Sequence, residues 1–375
     1  ERAGERLGGP RIDVTLTLAG QGRRAEIAAA GEAAVRVGRG LAVADLLART
    51  GWDQAKRIPM QGDASTRAYE RLIQPSGETA VLMISPPRPD GPPVRGDKPY
   101  SAVARLAESV HAFVALDRGL RALDLSAPRI LGEDLATGLL LLEDLGGEAV
   151  VAEGAPIPER YGEAVKVLAR LHATTLPGVL PVADGIDHVV PPYDLDALTI
   201  EVELLPDWYV PHQTAAALTS GARAGFVDLW SRALAPVLAA PPTWTLRDYH
   251  SPNLLWLAER EGLRRVGLLD FQDAVLGHPA YDVVSLLQDA RVTVPPDLEL
   301  KLLGLYARER RAADPAFDVG AFAEAYAILG AQRATKIVGI FARLDKRDGK
   351  PAYLVHLPRV EAYLARNLAH PVLSE

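Results

Sequence analysis

The chain has 375 residues, of which 48% are hydrophobic and 24% charged, with a formal net charge of −7 and no cysteine. Such a length and composition suit a globular protein of about two packed domains rather than a disordered one. The acidic balance argues against a nucleic-acid or anionic-membrane partner, and the missing thiols exclude disulfides, thiolate-zinc sites and a cysteine nucleophile, in keeping with a reducing cytoplasm.

The N-terminal stretch "ERAGERLGGPRIDVTL" contains neither a signal-peptide core nor, after it, a spanning run of roughly 18 apolar residues. Its first residue is Glu rather than Met, as expected of a piece of a longer product. Residues 11–37 alternate apolar and polar positions in "RIDVTLTLAG" and again near "GEAAVRVGRG", which predicts a small β appendage over residues 1–37. A helical pattern in "LAVADLLARTGW" opens a lobe spanning residues 38–147. From Pro59, "MQGDASTRAYERLIQPSGETAVLMIS" predicts two strands joined by the turn "PSGE", with a glycine-containing loop ahead of them. The run "SPPRPDGPPVRGDKP" is too rich in Pro and Gly for a regular element and predicts a long loop. Next, "SAVARLAESVHAFVALDRGLRAL" has helical spacing, and "GLLLLEDLGGE" predicts a buried strand that stops at acidic residues and paired glycines, where a domain boundary falls. Residues 148–375 are mostly helical, with helices predicted over 158–176, 214–239, 319–345 and 357–369.

One constellation in that second part carries chemistry. "TLRDYHSPNLLWL" sets Asp248 five positions before Asn253 and runs into an apolar segment; after the charged turn "AEREGLRR", a second apolar run, "VGLLD", ends on Asp270. A lone carboxylate and amide in a loop usually cap turns or helices. The pair followed by strand, turn, strand and a further carboxylate is far more specific.

The whole order of parts, a hairpin with a glycine loop, a helix, a strand ending in a turn, and a helical part with D-x-x-x-x-N and a later Asp, resembles the aminoglycoside phosphotransferase and choline kinase superfamily. These are relatives of protein kinases, and the resemblance spans residues 50 to 365. Within it, "GDASTRAYERL", "LRDYHSPNLLWL", "LLDFQDAVLGHPAYDVVSLLQD" and "GIFARLDKRDGKPAYL" are most similar to the bacterial kinases that phosphorylate N-acetylmuramate and N-acetylglucosamine at the anomeric position.

The resemblance implies an α+β, two-lobed protein-kinase-like fold, with a small β-rich lobe that binds nucleotide and a mostly helical lobe that carries the catalytic loop. It implies ATP with Mg2+, a sugar acceptor phosphorylated at the C1 hydroxyl, and a place in cell-wall recycling. Phosphoryl transfer needs positioning and charge neutralisation more than covalent help. On this resemblance Asp248 takes the hydroxyl proton, while Asn253 and Asp270 hold the metal. The loop formed by Gly62, Asp63, Ala64 and Ser65 cradles phosphates, and Glu143 and Leu145 frame the adenine. An aminoglycoside or amino-alcohol kinase, and a pseudokinase that only binds nucleotide, are the alternatives.

The sequence departs from the superfamily in two places. Met83 stands where a strand lysine usually holds phosphates; of only seven lysines, Lys56 and Lys98 alone lie in this lobe. Either Arg67 supplies the missing cation or it is an exposed strand arginine, and Glu108 is left without the usual lysine partner. Leu246 occupies the position where a His often precedes the base. His250 is expected to stabilise the loop, His172 to sit in the core, and Asp282 to cap a helix in support of the site.

For the acceptor, "YDLDALTIEVELLPDWYV" offers Glu201, Glu203, Asp207, Trp208 and Tyr209, types suited to sugar hydroxyls and a pyranose face, with the anchoring of two helices as the alternative for Trp208 and Tyr209. Arg343 or Arg347 either meets a lactyl carboxylate or is solvated at a helix end. The first 35 residues weakly resemble the tail of the ATPase component of tRNA threonylcarbamoyladenosine biosynthesis, although the chain has no G-x-x-x-x-G-K-[ST] loop.

Overall fold

The computed structural model describes residues 23–60, 67–87 and 91–374, with side chains from residue 35 onward. The chain divides into two compact units, one of residues 1–87 and 129–144, the other of residues 88–128 and 145–375.

The first unit opens with the helix Arg23–Thr50. Residues 23–37, whose alternation predicts strand, are helical, because the alternating positions are mostly Ala, Glu and Arg, good helix formers without the β-branched content a strand needs. The remainder of the predicted appendage lies outside the described residues. The helix ends in a Schellman motif: Gly51 takes φ +75, Trp52 N donates to Leu47 O at 2.7 Å and Gly51 N to Ala48 O at 3.2 Å. That turn folds Trp52 back beside Val43, Leu46 and Leu47, which bury against Leu72, Leu82 and Leu141 of the sheet.

The sheet is antiparallel throughout, in the order Lys56–Met60, Ala68–Ile73, Thr79–Ile84, Leu139–Glu143, Ile130–Asp134. The second and third strands meet at the predicted turn, where Gly77 adopts φ +90 and Gln74 N donates to Glu78 O at 2.9 Å. Met83 faces Tyr69 on one side and Leu140 on the other and is fully buried, so an apolar side chain occupies the position of the missing lysine.

In the second unit the Pro-rich run is not wholly irregular. Pro93–Arg95 and Lys98–Pro99 pair as a minimal hairpin around Gly96 at φ +57, tied down by Arg95, which bonds Glu203 and, at 3.2 Å, Thr199 Oγ1. The single helix expected over 101–123 is two, Tyr100–Val103 and Val110–Ala122. The break falls at Arg105, held at φ +58 by a pair with Asp194, and the second helix restarts on Ser109, whose Oγ accepts from His111 N. The helix predicted from 214 starts at Ser220, capped by Thr219. The helix expected to start at Asp282 is Ala280–Leu287, beginning two residues earlier, and helices Leu195–Val202 and Pro296–Ala313 add to those expected.

The centre of this unit is the long helix Val319–Lys346, capped by Asp318 Oδ1 on Ala321 N at 3.0 Å. Its residues Ile337, Val338, Phe341 and Leu344 form a cluster with Leu357 and Val360 of the helix Leu357–Leu368. Gly339 lets it touch the backbone at Leu204, because a Cβ at 339 would sit 2.5 Å from Leu204 C. Gly339→Ala is therefore expected to overpack this contact and lower stability by about 2 kcal/mol, read as a fall in the denaturation midpoint. An unchanged midpoint would show that the two segments can part without cost. Among the described residues no helix is long and apolar enough to cross a membrane.

Candidate active site

The strand Thr243–Thr245 runs into Leu246, Arg247, Asp248, Tyr249 and His250, then into the one-turn helix Ser251–Asn253 and the strand Leu254–Trp256. The latter pairs antiparallel with Val266–Leu268, placing Leu254 opposite Leu268. This hairpin joins residues far apart in sequence: Leu269 N donates to Asn253 O at 2.9 Å, which sets Asp270 beside Asn253. Asn253 Nδ2 donates in turn to the carbonyl of Asp248 at 3.0 Å. The three residues predicted from sequence are thus brought together by one strand pair and one side-chain bond.

Two of these backbone positions are unusual for non-glycine residues. Arg247 has φ +66 and Asp270 φ +56, a region that costs an L-residue on the order of 1 kcal/mol or more and persists only where the surroundings impose it. The surroundings of Arg247 do so. Asp282, three residues into its helix rather than at the cap, accepts from Leu246 N at 2.7 Å and Arg247 N at 2.8 Å. Ser285 Oγ donates to Arg247 O at 3.0 Å, and Asp289 accepts from both the amide and the hydroxyl of Ser251. Tyr249 anchors the loop from below by donating to Ala164 O at 2.8 Å. His172, buried as expected, bonds Tyr306 and lies 3.6 Å from Asp282.

The side chain of Arg247 leads to a buried ionic cluster that the sequence did not reveal. Its guanidinium donates to Ala104 O at 3.0 Å and pairs with Glu201, which is 0% exposed. The same carboxylate takes Lys336 Nζ at 2.8 Å, Tyr193 OH at 2.5 Å and Gln332 Nε2 at 3.0 Å. Burial favours the neutral acid at Glu201, yet Lys336 and Arg247 outweigh it and hold its carboxyl below the ordinary value.

Asp248 is treated in the same way. Burial opposes its ionisation, but the charges of His250, Lys336, Arg247 and Arg333 prevail, so its carboxyl also lies below the usual range. Burial pushes the His250 imidazole down to about 4, against the pull of Asp248 and Asp289. Near neutral pH His250 is thus uncharged, and Lys336, Arg247 and Arg333 are the cations that keep Asp248 a carboxylate. Such a group can accept a proton and orient a hydroxyl.

The other predicted residues are placed as follows. Gly62, Asp63, Ala64 and Ser65 lie outside the described residues. Arg67 is partly buried just before the strand Ala68–Ile73, and Glu143 ends the last-but-one strand of the first sheet, where its carboxylate accepts from Arg129 N at 3.1 Å. Leu145 packs against Gly267 in the second unit. Glu108 accepts from Ser101 Oγ at 2.9 Å. Glu203 and Asp207 are both engaged by Arg223, and Glu203 also by Arg95, so their charges are already matched. Trp208 is partly buried in the turn Leu205–Tyr209, and Tyr209 donates to Glu361 at 2.6 Å, which fits the helix-anchoring alternative for that pair. Arg343 lies over the ring of Tyr100, 5.1 Å from its centroid.

A metal can be tested against this donor set. Among the described residues no three His, Asp or Glu side chains converge to hold one unaided. The amide oxygen of Asn253 and the carboxylate of Asp270, whose Oδ1 accepts from Gln272 Nε2 at 2.8 Å, are hard donors at adjacent positions. Two such oxygens, completed by phosphate and water, suit Mg2+ rather than a softer ion.

Comparison with known proteins agrees with this geometry. A profile described as the phosphotransferase enzyme family matches residues 56–317. The N-acetylmuramate/N-acetylglucosamine kinase of Caulobacter vibrioides is 40% identical over 349 residues, covering 90% of this chain and 94% of that protein. A protein of the same name from Pseudomonas putida is 33% identical over 84% of each chain. Among solved structures, the ethanolamine kinase of Plasmodium vivax aligns with a TM-score of 0.55 at 11% identity, covering 86% of this chain and 83% of that one. The GDP complex of wild-type aminoglycoside 2'-phosphotransferase-IIIa aligns with a TM-score of 0.52 at 15% identity, over 87% of this chain and 99% of that one. At such identities the structures speak to the fold alone, a protein-kinase-like pairing of a small antiparallel sheet lobe with a mostly helical one.

Proposed function

Because the chain belongs to the phosphotransferase enzyme family and is a small-molecule kinase, we propose that it transfers the γ-phosphoryl group of ATP to the anomeric hydroxyl of N-acetylmuramate or N-acetylglucosamine, the acceptors its relatives are named for. Asp248 accepts the proton of the C1 hydroxyl as that oxygen bonds to the γ-phosphorus and the bond to the β,γ-bridging oxygen breaks, releasing ADP. Mg2+ held by Asn253 and Asp270 supplies neutralisation of phosphate charge. The observation that carries the reading is the placement of Asp248, bonded through its carbonyl to Asn253, on a loop whose strained backbone is braced from behind by Asp282, Ser285 and Asp289. A reaction of this kind belongs with the recovery of amino sugars from cell wall.

The deciding experiment incubates the protein with Mg-ATP and each of N-acetylmuramate, N-acetylglucosamine, an aminoglycoside and ethanolamine, and reads phosphorus NMR. The expected product has its phosphorus coupled to the anomeric proton. Phosphorylation at any other carbon, or of the amines alone, would sink the proposal.

Metal use is tested separately. Asp270→Ala is expected to abolish the tightening of ATP binding by magnesium, and Asn253→Ala to weaken it roughly tenfold, about 1.4 kcal/mol, by calorimetry with and without the ion. Equal magnesium dependence in both variants and the unsubstituted protein would remove these residues from the metal.

A further inference from the structure

The long helix Val319–Lys346 carries a second cation two turns beyond Lys336. Lys336 and Arg343 are seven residues apart, hence on one face and separated by roughly 10 Å along the axis. Lys336 reaches Glu201 and lies in the field of Asp248. Tyr100 connects the two, because its hydroxyl senses the charges of Glu201, Lys336, Arg343 and Arg247.

Arg343 differs from its neighbours in having no carboxylate. Arg347 pairs with Asp348, Arg95 and Arg223 with Glu203, and Lys336 with Glu201. Among the described residues Arg343 makes no ion pair, and its Nε is buried without a hydrogen-bond partner. It is only partly exposed, and burial lowers its tendency to carry charge, with the Tyr100 hydroxyl opposing that loss. The charge of Asp348 reaches this guanidinium but no carboxylate bonds it; a desolvated guanidinium stacked on an aromatic ring with no bonded anion is costly unless a ligand completes it.

The two acceptors differ in one group. N-acetylmuramate carries on C3, two ring carbons from the anomeric centre, a lactyl ether ending in a carboxylate; N-acetylglucosamine has a hydroxyl there. With C1 at Asp248, a carboxylate displaced along the helix from Lys336 would meet the next cation on that face. We infer that Arg343, braced by Tyr100, binds the carboxylate of the acidic sugar and sets the preference between the two acceptors. The inference rests on the sugar-kinase reading above.

The test compares kcat/KM for N-acetylmuramate and N-acetylglucosamine in the unsubstituted protein, in Arg343→Gln and in Arg343→Lys. The ratio of acidic over neutral sugar is expected to fall about 30-fold in Arg343→Gln and by less in Arg343→Lys, which keeps the charge and loses the fork. A substrate-side arm needs no variant: the methyl ester of N-acetylmuramate should be a poorer acceptor than the acid by a similar factor. An unchanged ratio in Arg343→Gln, or an ester as good as the acid, overturns the inference while turnover of N-acetylglucosamine leaves the functional reading intact. If the unsubstituted protein turns over neither sugar, both are overturned.

Discussion

Asp248→Asn is expected to lower turnover by roughly 100-fold or more while leaving ATP binding nearly intact, since it removes a proton acceptor and keeps the shape of the side chain. Among the described residues no hydrogen bond that braces the loop depends on this carboxylate: those of residue 248 run through its amide and carbonyl, to Leu246 O, His250 N and Asn253 Nδ2. The substitution thus isolates chemistry from folding. The measurement is steady-state kinetics beside calorimetric titration of nucleotide. Near-normal turnover in a folded variant would withdraw Asp248 from the mechanism, and loss of nucleotide binding in step with turnover would mean that the loop, rather than the proton transfer, had been damaged.

The second large effect concerns stability. Glu201→Ala leaves Arg247 and Lys336 buried with no carboxylate between them, and removing one partner of a buried ion pair typically costs about 3–5 kcal/mol. Chemical denaturation should show that loss, and turnover should fall with it, because Arg247, the residue before the base, then loses the carboxylate that fixes its guanidinium. Adding Lys336→Met to Glu201→Ala removes one of the two stranded charges and is expected to restore part of the midpoint. If the double variant is less stable than Glu201→Ala alone, the cost comes from lost packing and the charge argument is wrong.

The sequence made the reacting groups legible because their spacing is local. Asp248 and Asn253 are five residues apart, and the strand, turn, strand that follows must return Asp270 to them. The helix Val319–Lys346 and its C-terminal neighbour were likewise readable from periodicity. Most of what supports the site was not, because it converges from distant segments: Glu201 from one helix, Lys336 from another, and Ser285 and Asp289 from a third element and its end; Asp282 was expected to support the site, but as a helix cap. One signal was available. Gln332, Arg333 and Lys336 interrupt an otherwise apolar stretch, "ILGAQRATKIVGIF", and polar residues on a buried helix require partners. Glu201 was noticed only as a type suited to sugar hydroxyls, whereas it is fully buried and already saturated by protein donors. The misread N-terminal segment and the split helix at Arg105 failed for local reasons, an alternation made of helix formers and a left-handed residue imposed by Asp194.

The bracing of the catalytic loop also fixes when the site can come into being. Asp282, Ser285 and Asp289 act 35 to 38 residues after the amides and carbonyl they hold, and Glu201 acts 46 residues before Arg247. A chain emerging in order therefore carries D-x-x-x-x-N for some time without the contacts that make its left-handed turn affordable, and closing those loops must precede any gain from them. Lys336 arrives later still. The full bracing of the reactive carboxylate is thus available only once the chain has been made as far as residue 336.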